Sequence, residues 1–216
     1  MGYKVAFMKP LILTTALVLS LATSTFANLF VNPGFEDPIT QDGPPFVGYW
    51  EGFNSGGSSA ANSTLLPRTG AQSLQLSINN TVNTFAGAFQ DVSGLTAGSE
   101  FSLTGWHATT TSPLSLGVEI RIEWRNSISN TEISRTPNAT PIPGAAYSQF
   151  GFNAIVPAGA DTARVVYAIQ SFTTNPLGNG IVYVDDMSFA VVPEPSSIAL
   201  VGLGGLALLG FRRRQS

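Results

Sequence analysis

The stretch Val118–Arg125 constrains the fold more than any other part of the chain. Val118, Ile120, Ile122 and Trp124 alternate without a break with Glu119, Arg121, Glu123 and Arg125. A two-residue period sends one set of side chains into a core and the other into water, as a half-buried β-strand does. On a helix the same residues would scatter charge around the whole circumference. Ser73–Asn79 alternates in the same way through Leu74, Leu76 and Ile78, and Glu100–Ala108 follows the turn Leu95-Thr96-Ala97-Gly98. Phe150–Val156 and Ala163–Ile169 are joined by Pro157-Ala158-Gly159-Ala160-Asp161, and Ile181–Val191 ends the series. Short strands at this spacing, with no helical period between them, predict an all-β domain of two packed antiparallel sheets. Ile39–Pro45 and Arg135–Gly144 are rich in Pro and Gly and read as long loops.

Composition sharpens this reading once the ends are separated from the middle. The chain of 216 residues is 44% hydrophobic and 11% charged, with a net charge of −3 and no Cys. Without Cys there is no disulfide framework, no thiol nucleophile and no Cys-ligated metal. Residues 28–192 hold five Arg, no Lys and 12 acidic residues, a net of −7, so nucleic acid is not a partner. Basic residues gather in the two ends. Met8-Lys9-Pro10 precedes an apolar run Leu11–Ala22 and the ending Thr25-Phe26-Ala27, the pattern of a signal peptide over residues 1–27 cut after Ala27. Either Met1 or Met8 serves as its start. At the other end Pro193-Glu194-Pro195 leads into an apolar run over 196–211 and then Arg212-Arg213-Arg214. As a transmembrane helix that run spans about 24 Å against a hydrocarbon core of about 30 Å, and the arginines hold the tail on the cytoplasmic side.

The order Pro-Glu-Pro, apolar helix, arginine cluster over residues 193–216 resembles the PEP-CTERM sorting tail of bacterial exported proteins. The resemblance implies an exosortase as partner, reading Pro193, Glu194, Pro195 and the cluster Arg212, Arg213, Arg214. It also implies transient anchoring in the inner membrane before delivery to the cell surface, the outer envelope or the medium. A permanent membrane anchor is the plainer alternative.

A second resemblance covers most of Asn28–Val191. The chain opens Asn28-Leu29-Phe30-Val31-Asn32-Pro33-Gly34-Phe35-Glu36 and continues through Gly48-Tyr49-Trp50 and Arg68-Thr69-Gly70. Phe89-Gln90-Asp91-Val92 follows, and Val182-Tyr183-Val184-Asp185-Asp186-Met187-Ser188-Phe189 closes the domain. This succession is similar to the carbohydrate-binding-module jelly rolls of the galactose-binding-like class. It implies a jelly-roll sandwich over 28–192 and a structural calcium beside the first and last strands, at Glu36, Asp185 and the Gly70 carbonyl. Alternation places Asp185 on the face of Tyr183, Met187 and Phe189, where a buried charge needs a counterpart. A cation, backbone N–H groups or an Arg would each serve.

Sugar sites join an aromatic platform to polar groups that orient hydroxyls. Were Glu100–Ala108 paired near Val118–Arg125, Trp106 and Thr104 would share the wet face with Glu119, Arg121, Glu123 and Arg125. The alternative is an ion-pair ladder with Trp106 in the core. Trp50, beside Tyr49, is a further candidate platform or a cap on the sandwich. Catalysis has little support. His107 has no Ser or Cys partner motif, and Glu119 and Glu123 lie about 13 Å apart along a strand, too far for a glycosidase pair. The sequence thus predicts an exported, non-catalytic surface protein that binds glycan or exopolysaccharide. A surface or biofilm-matrix protein without a sugar ligand is its rival.

Overall fold

The computed structural model describes residues 27–44, 46, 49–171 and 177–193. The expected signal peptide, apart from Ala27, lies outside them. So do Gly48, Glu194, Pro195, the expected helix over 196–211 and Arg212, Arg213 and Arg214. Among the described residues no helix is long and apolar enough to cross a membrane.

Ten strands form the domain: β1 (Glu51–Asn54), β2 (Ser58–Ser63), β3 (Ser73–Thr81), β4 (Phe85–Ser93), β5 (Glu100–Thr109), β6 (Gly117–Asn126), β7 (Thr131–Arg135), β8 (Ser148–Ile155), β9 (Thr162–Gln170) and β10 (Gly178–Val191). One sheet, A, runs β1-β4-β9-β6-β7 and the other, B, runs β2-β3-β10-β5-β8. Neighbouring strands in both are antiparallel. The alternating stretch becomes β6, with Val118, Ile120, Ile122 and Trp124 buried against the core and paired with Ile169, Tyr167, Val165 and Ala163 of β9. From the opposite sheet come Leu74, Leu76 and Ile78 of β3, Leu103 of β5, and Val182, Val184, Met187 and Phe189 of β10. Burying each such aliphatic side chain contributes about 1.5–3 kcal/mol. One polar bridge crosses the dry interior, where His107 Nδ1 of β5 lies 2.8 Å from the Tyr167 hydroxyl of β9. Desolvation lowers the His107 pKa to about 4 and pushes that of Tyr167 well up.

The six predicted strands are present within a few residues of the expected bounds. β1, β2, β4 and β7 were not expected. β1 and β2 are short and rich in Gly, Ser, Ala and Asn, residues with weak strand preference. β7 is exposed at every position and so has no apolar period to read. The expected loops are partly paired as well. Thr40 bridges Glu51, Arg135 ends β7, and Ala139 bridges Ile120.

The conditional pairing of Glu100–Ala108 near Val118–Arg125 does not occur. β5 and β6 follow one another in sequence but lie in opposite sheets. Their outward faces point away from each other across the sandwich, so Trp106 and Thr104 share no surface with Glu119, Arg121 and Glu123.

Candidate functional site

The outward face of sheet A is built in rows by the strand register. One row runs Phe53, Gly87, Ala168, Glu119 across β1, β4, β9 and β6; the next runs Glu51, Phe89, Val166, Arg121. Strands lie about 4.8 Å apart, so Phe53 and Glu119 stand roughly 14 Å from each other with two small residues between them. A Cβ on Gly87 would come within 2.4 Å of Phe53 Cζ, so glycine is what lets the Phe53 ring lean over the sheet. Phe53 lies 6.0 Å from Phe85 and 6.2 Å from Phe89, centroid to centroid, and Phe85 is 45% exposed. The result is a floor of small residues with an aromatic wall on one side.

The other side is the charged ladder of β6. Arg121 donates through Nε and a terminal nitrogen to Glu123 Oε1 at 2.9 and 2.8 Å, and to Glu119 Oε2 at 3.3 Å. Arg125 and Arg135 approach Glu123 at 3.9 Å, and Asn138 donates to Glu119. At the far end Arg164 of β9 makes two 2.8 Å bonds to Asp91 and covers the Phe89 ring at 4.1 Å. Burial alone would lower the Arg164 pKa, but its bonds to Asp91 outweigh this and hold it above the ordinary value. Glu51, at the edge of this face, is buried by the neighbouring segment, accepting from Gly43 N and Thr40 Oγ1, each at 2.9 Å. The face thus combines apolar rings with planar, bidentate donors and acceptors, the two kinds of contact a sugar makes.

The remaining expected site residues fall elsewhere. Trp50 is fully buried between Phe30 and Phe35, and its indole N–H donates to Asn32 O at 3.0 Å, so it offers no platform to a ligand. Tyr49 next to it is 42% exposed. Trp106 faces outward on sheet B rather than into the core, and the Arg68 guanidinium covers its ring at 3.8 Å. The aromatic residues left beside the β6 ladder are therefore Phe53 and Phe85, since Arg164 covers Phe89. The sequence carried a signal for Phe85 in Phe85-Ala86-Gly87-Ala88-Phe89, where two rings flank three small residues.

Asp185 departs from the simple alternation. A bulge between Asp185 and Ser188, with Asp186 at φ 47°, pairs Asp185 with Trp106 on the outward face while Met187 and Phe189 turn to the core. Asp185 is nonetheless fully buried, because the segment Arg68–Gln72 folds over it. Its carboxylate accepts from Arg68 N at 2.7 Å, Thr69 N at 3.2 Å and Asp186 N at 2.7 Å. Burial raises the Asp185 pKa, and these N–H groups act in the opposite direction. Asp186 takes Arg68 at 2.5 Å and Thr69 Oγ1 at 2.6 Å. Glu36 accepts from Ala71 N at 3.0 and 3.1 Å and lies so close to Gly70 that a Cβ there would meet Glu36 Oε1 at 2.0 Å. Calcium requires six to eight oxygens. Among the described residues no three His, Asp or Glu side chains gather as metal ligands. Glu36 and Asp185 instead point their oxygens at N–H dipoles, whose positive ends repel a cation, so the residues as placed do not form a calcium shell.

Residues 191–214 match the PEP-CTERM protein-sorting motif. No curated protein is similar to the chain. Among solved structures, the CBM22-1 xylan-binding domain from Paenibacillus barcinonensis Xyn10C is 15% identical over 80% of this chain and 99% of its own, with a TM-score of 0.53. A solved CBM4 structure is 17% identical over 76% and 99%, with a TM-score of 0.50. The enzymatically active domain of tailspike protein 4 from bacteriophage CBA120 is 16% identical, with a TM-score of 0.58 over 76% of this chain, which spans 21% of that one. At such identities the likeness is one of fold. The chain carries a PEP-CTERM sorting motif behind a β-sandwich whose structural neighbours include carbohydrate-binding modules.

Proposed function

We propose that this exported protein binds a glycan chain across the outward face of sheet A, with Phe53 and Phe85 under the sugar rings and Arg121, Glu119 and Glu123 bonding the hydroxyls. The row Phe53-Gly87-Ala168-Glu119 carries the reading, because it sets a ring and a carboxylate on opposite sides of a floor without bulky side chains. Binding without catalysis fits the acidic groups here, since Glu119 and Glu123 are both tied to Arg121 and neither is held free as an acid or base. The carbohydrate-binding modules among the structural neighbours support glycan binding in general, and the xylan named for one of them makes xylan the first probe. The full chain on a glycan array tests the proposal, and no binding at millimolar oligosaccharide overturns it. The rival is a matrix protein without a sugar ligand. In its favour, the ladder charges already satisfy one another.

The tail serves as the address: an exosortase reads Pro193-Glu194-Pro195 while the apolar run after it sits in the inner membrane with Arg212–Arg214 inside. Val192 N bonds Glu100 O at 2.8 Å, so the motif begins one residue beyond the folded domain. Replacing Pro193, Glu194 and Pro195 with Ala leaves the protein in the membrane fraction; normal release of that variant overturns the sorting assignment.

A further inference from the structure

We infer that the glycan-binding face continues past Glu119 into a pocket that takes an O-acetyl group on the same glycan, an inference that rests on the glycan face proposed above. Downstream of β7 the chain forms a strap along β6. Thr136 N bonds Ile122 O at 2.9 Å, and Ala139 and Ile120 exchange bonds of 2.8 and 2.9 Å. The strap then crosses to sheet B, where Thr109 N reaches Gly144 O at 2.9 Å. Between the strap and the start of β6 lies a pocket of about 550 Å³. That volume falls within the roughly 300–1,000 Å³ of small-molecule sites.

Its apolar walls are aliphatic rather than aromatic: Leu114, Leu116, Ile142 and Pro143. Leu114 is held there by packing on the β10 backbone, where a Cβ on Gly180 would meet its Cδ1 at 2.4 Å. Flat sugar faces favour flat aromatic partners, whereas a wall of methyl groups suits a small aliphatic substituent. Among the described lining residues Glu119 is the one ionisable group, and its carboxylate is already engaged by Arg121 and Asn138. A carboxylate substituent would have to compete with Glu119 for Arg121, whereas a neutral group leaves that pair intact. An ester suits the pocket: its methyl packs on the leucines, and its carbonyl accepts from the amide N–H groups of Asn138 or Gln170, which also line it. Glu119 borders both the pocket and the sheet A face, so the substituted sugar sits one step along the chain from the rings held by Phe53.

Affinity of the full chain in detergent for acetylated xylan, compared with the same batch after mild alkaline deacetylation, tests this. The expected result is about tenfold tighter binding of the acetylated polymer, the scale of one methyl-sized group buried against apolar side chains. In Ile142→Ser and Leu114→Ser, with folding checked by thermal melting, the ratio falls towards one. Equal affinity of the wild-type chain for the two polymers overturns the acetyl pocket and leaves the glycan face standing. If neither polymer binds, the glycan face fails and the pocket with it.

Discussion

The two outward faces of the sandwich use the same residue types to opposite ends. On sheet A the rings of Phe53 and Phe85 stay partly open above Gly87 and Ala168, and the charges beside them run along one strand. On sheet B the one outward indole, Trp106, is already occupied by Arg68 from the chain itself, and Arg68 is in turn held by Asp186. An aromatic next to an arginine is therefore not a binding site by composition. What matters is whether the molecule has filled the position from within, as the segment Arg68–Gln72 does over Asp185. Face B is a latch that stabilises the fold, and face A, where Phe85 stays exposed, is the face proposed for the glycan.

The largest effect tests the latch. Asp185→Ala strands three backbone N–H groups inside the protein, and each unpaired buried donor costs about 1–3 kcal/mol. The expected loss is about 4 kcal/mol by urea unfolding. Refolded material that binds glycan as well as wild type would show the two faces to be independent, and a loss of binding in the folded variant would break the comparison.

A smaller effect tests the bridge between the faces. The folded-state pKa of His107, about 4, lies below its ordinary value near 6.5, because burial in the core disfavours the imidazolium. The unfolded chain therefore takes up the proton first. The stability contributed by this group is complete above pH 6.5 and is lost as pH falls towards 4. The loss amounts to about 2 kcal/mol at pH 5 and about 3 kcal/mol by pH 4. Urea midpoints measured from pH 7.5 to 4.5 check this. His107→Phe removes that component of the acid slope, and the carboxylate part, such as that of Glu132, whose pKa its bond to Arg135 lowers, remains.

How far the sequence reveals this division depends on which side the large residues take. β6 was legible because its contrast is complete: four apolar residues face in and four charged residues face out. β4 has the reverse pattern. Its inward positions are Ala86, Ala88, Gln90 and Val92, and its outward positions include Phe85 and Phe89. A reading by hydrophobicity sends those rings to the core and so loses the platform. The pairing of β5 was not legible either, because sheet membership in a sandwich is set by contacts distant in sequence. The bulge after Asp185 has no composition of its own, so alternation carried past it puts Met187 and Asp185 on one face.

A further test sharpens the contrast at face A. Phe53→Ala removes a partly exposed ring over Gly87, and Arg121→Ala removes the centre of the ladder. Each lowers glycan affinity about tenfold by isothermal titration, since stacking and bidentate bonds contribute about 1–2 kcal/mol apiece. Trp106→Ala and Arg68→Ala, the corresponding pair on face B, change affinity less than twofold. Equal losses from both pairs would show that the ligand surrounds the edge of the sandwich instead of lying on one face.

The smallest expected effect concerns calcium, and it separates two ways of closing the latch. The resemblance to carbohydrate-binding modules implied an ion at Glu36 and Asp185, whereas the oxygens of both accept backbone N–H groups. An ion drawn to those oxygens has to displace N–H groups that are covalently fixed in the Arg68–Gln72 segment, and the Arg68 guanidinium already sits on Asp186. Thermal melting in excess EGTA and in millimolar calcium should then agree within about 1 °C, because a ligand that does not bind the native state leaves its stability unchanged. A calcium-dependent rise of several degrees, abolished by Glu36→Gln, would mean that the segment opens to admit the ion and that the latch on face B is metal-tuned rather than self-sufficient.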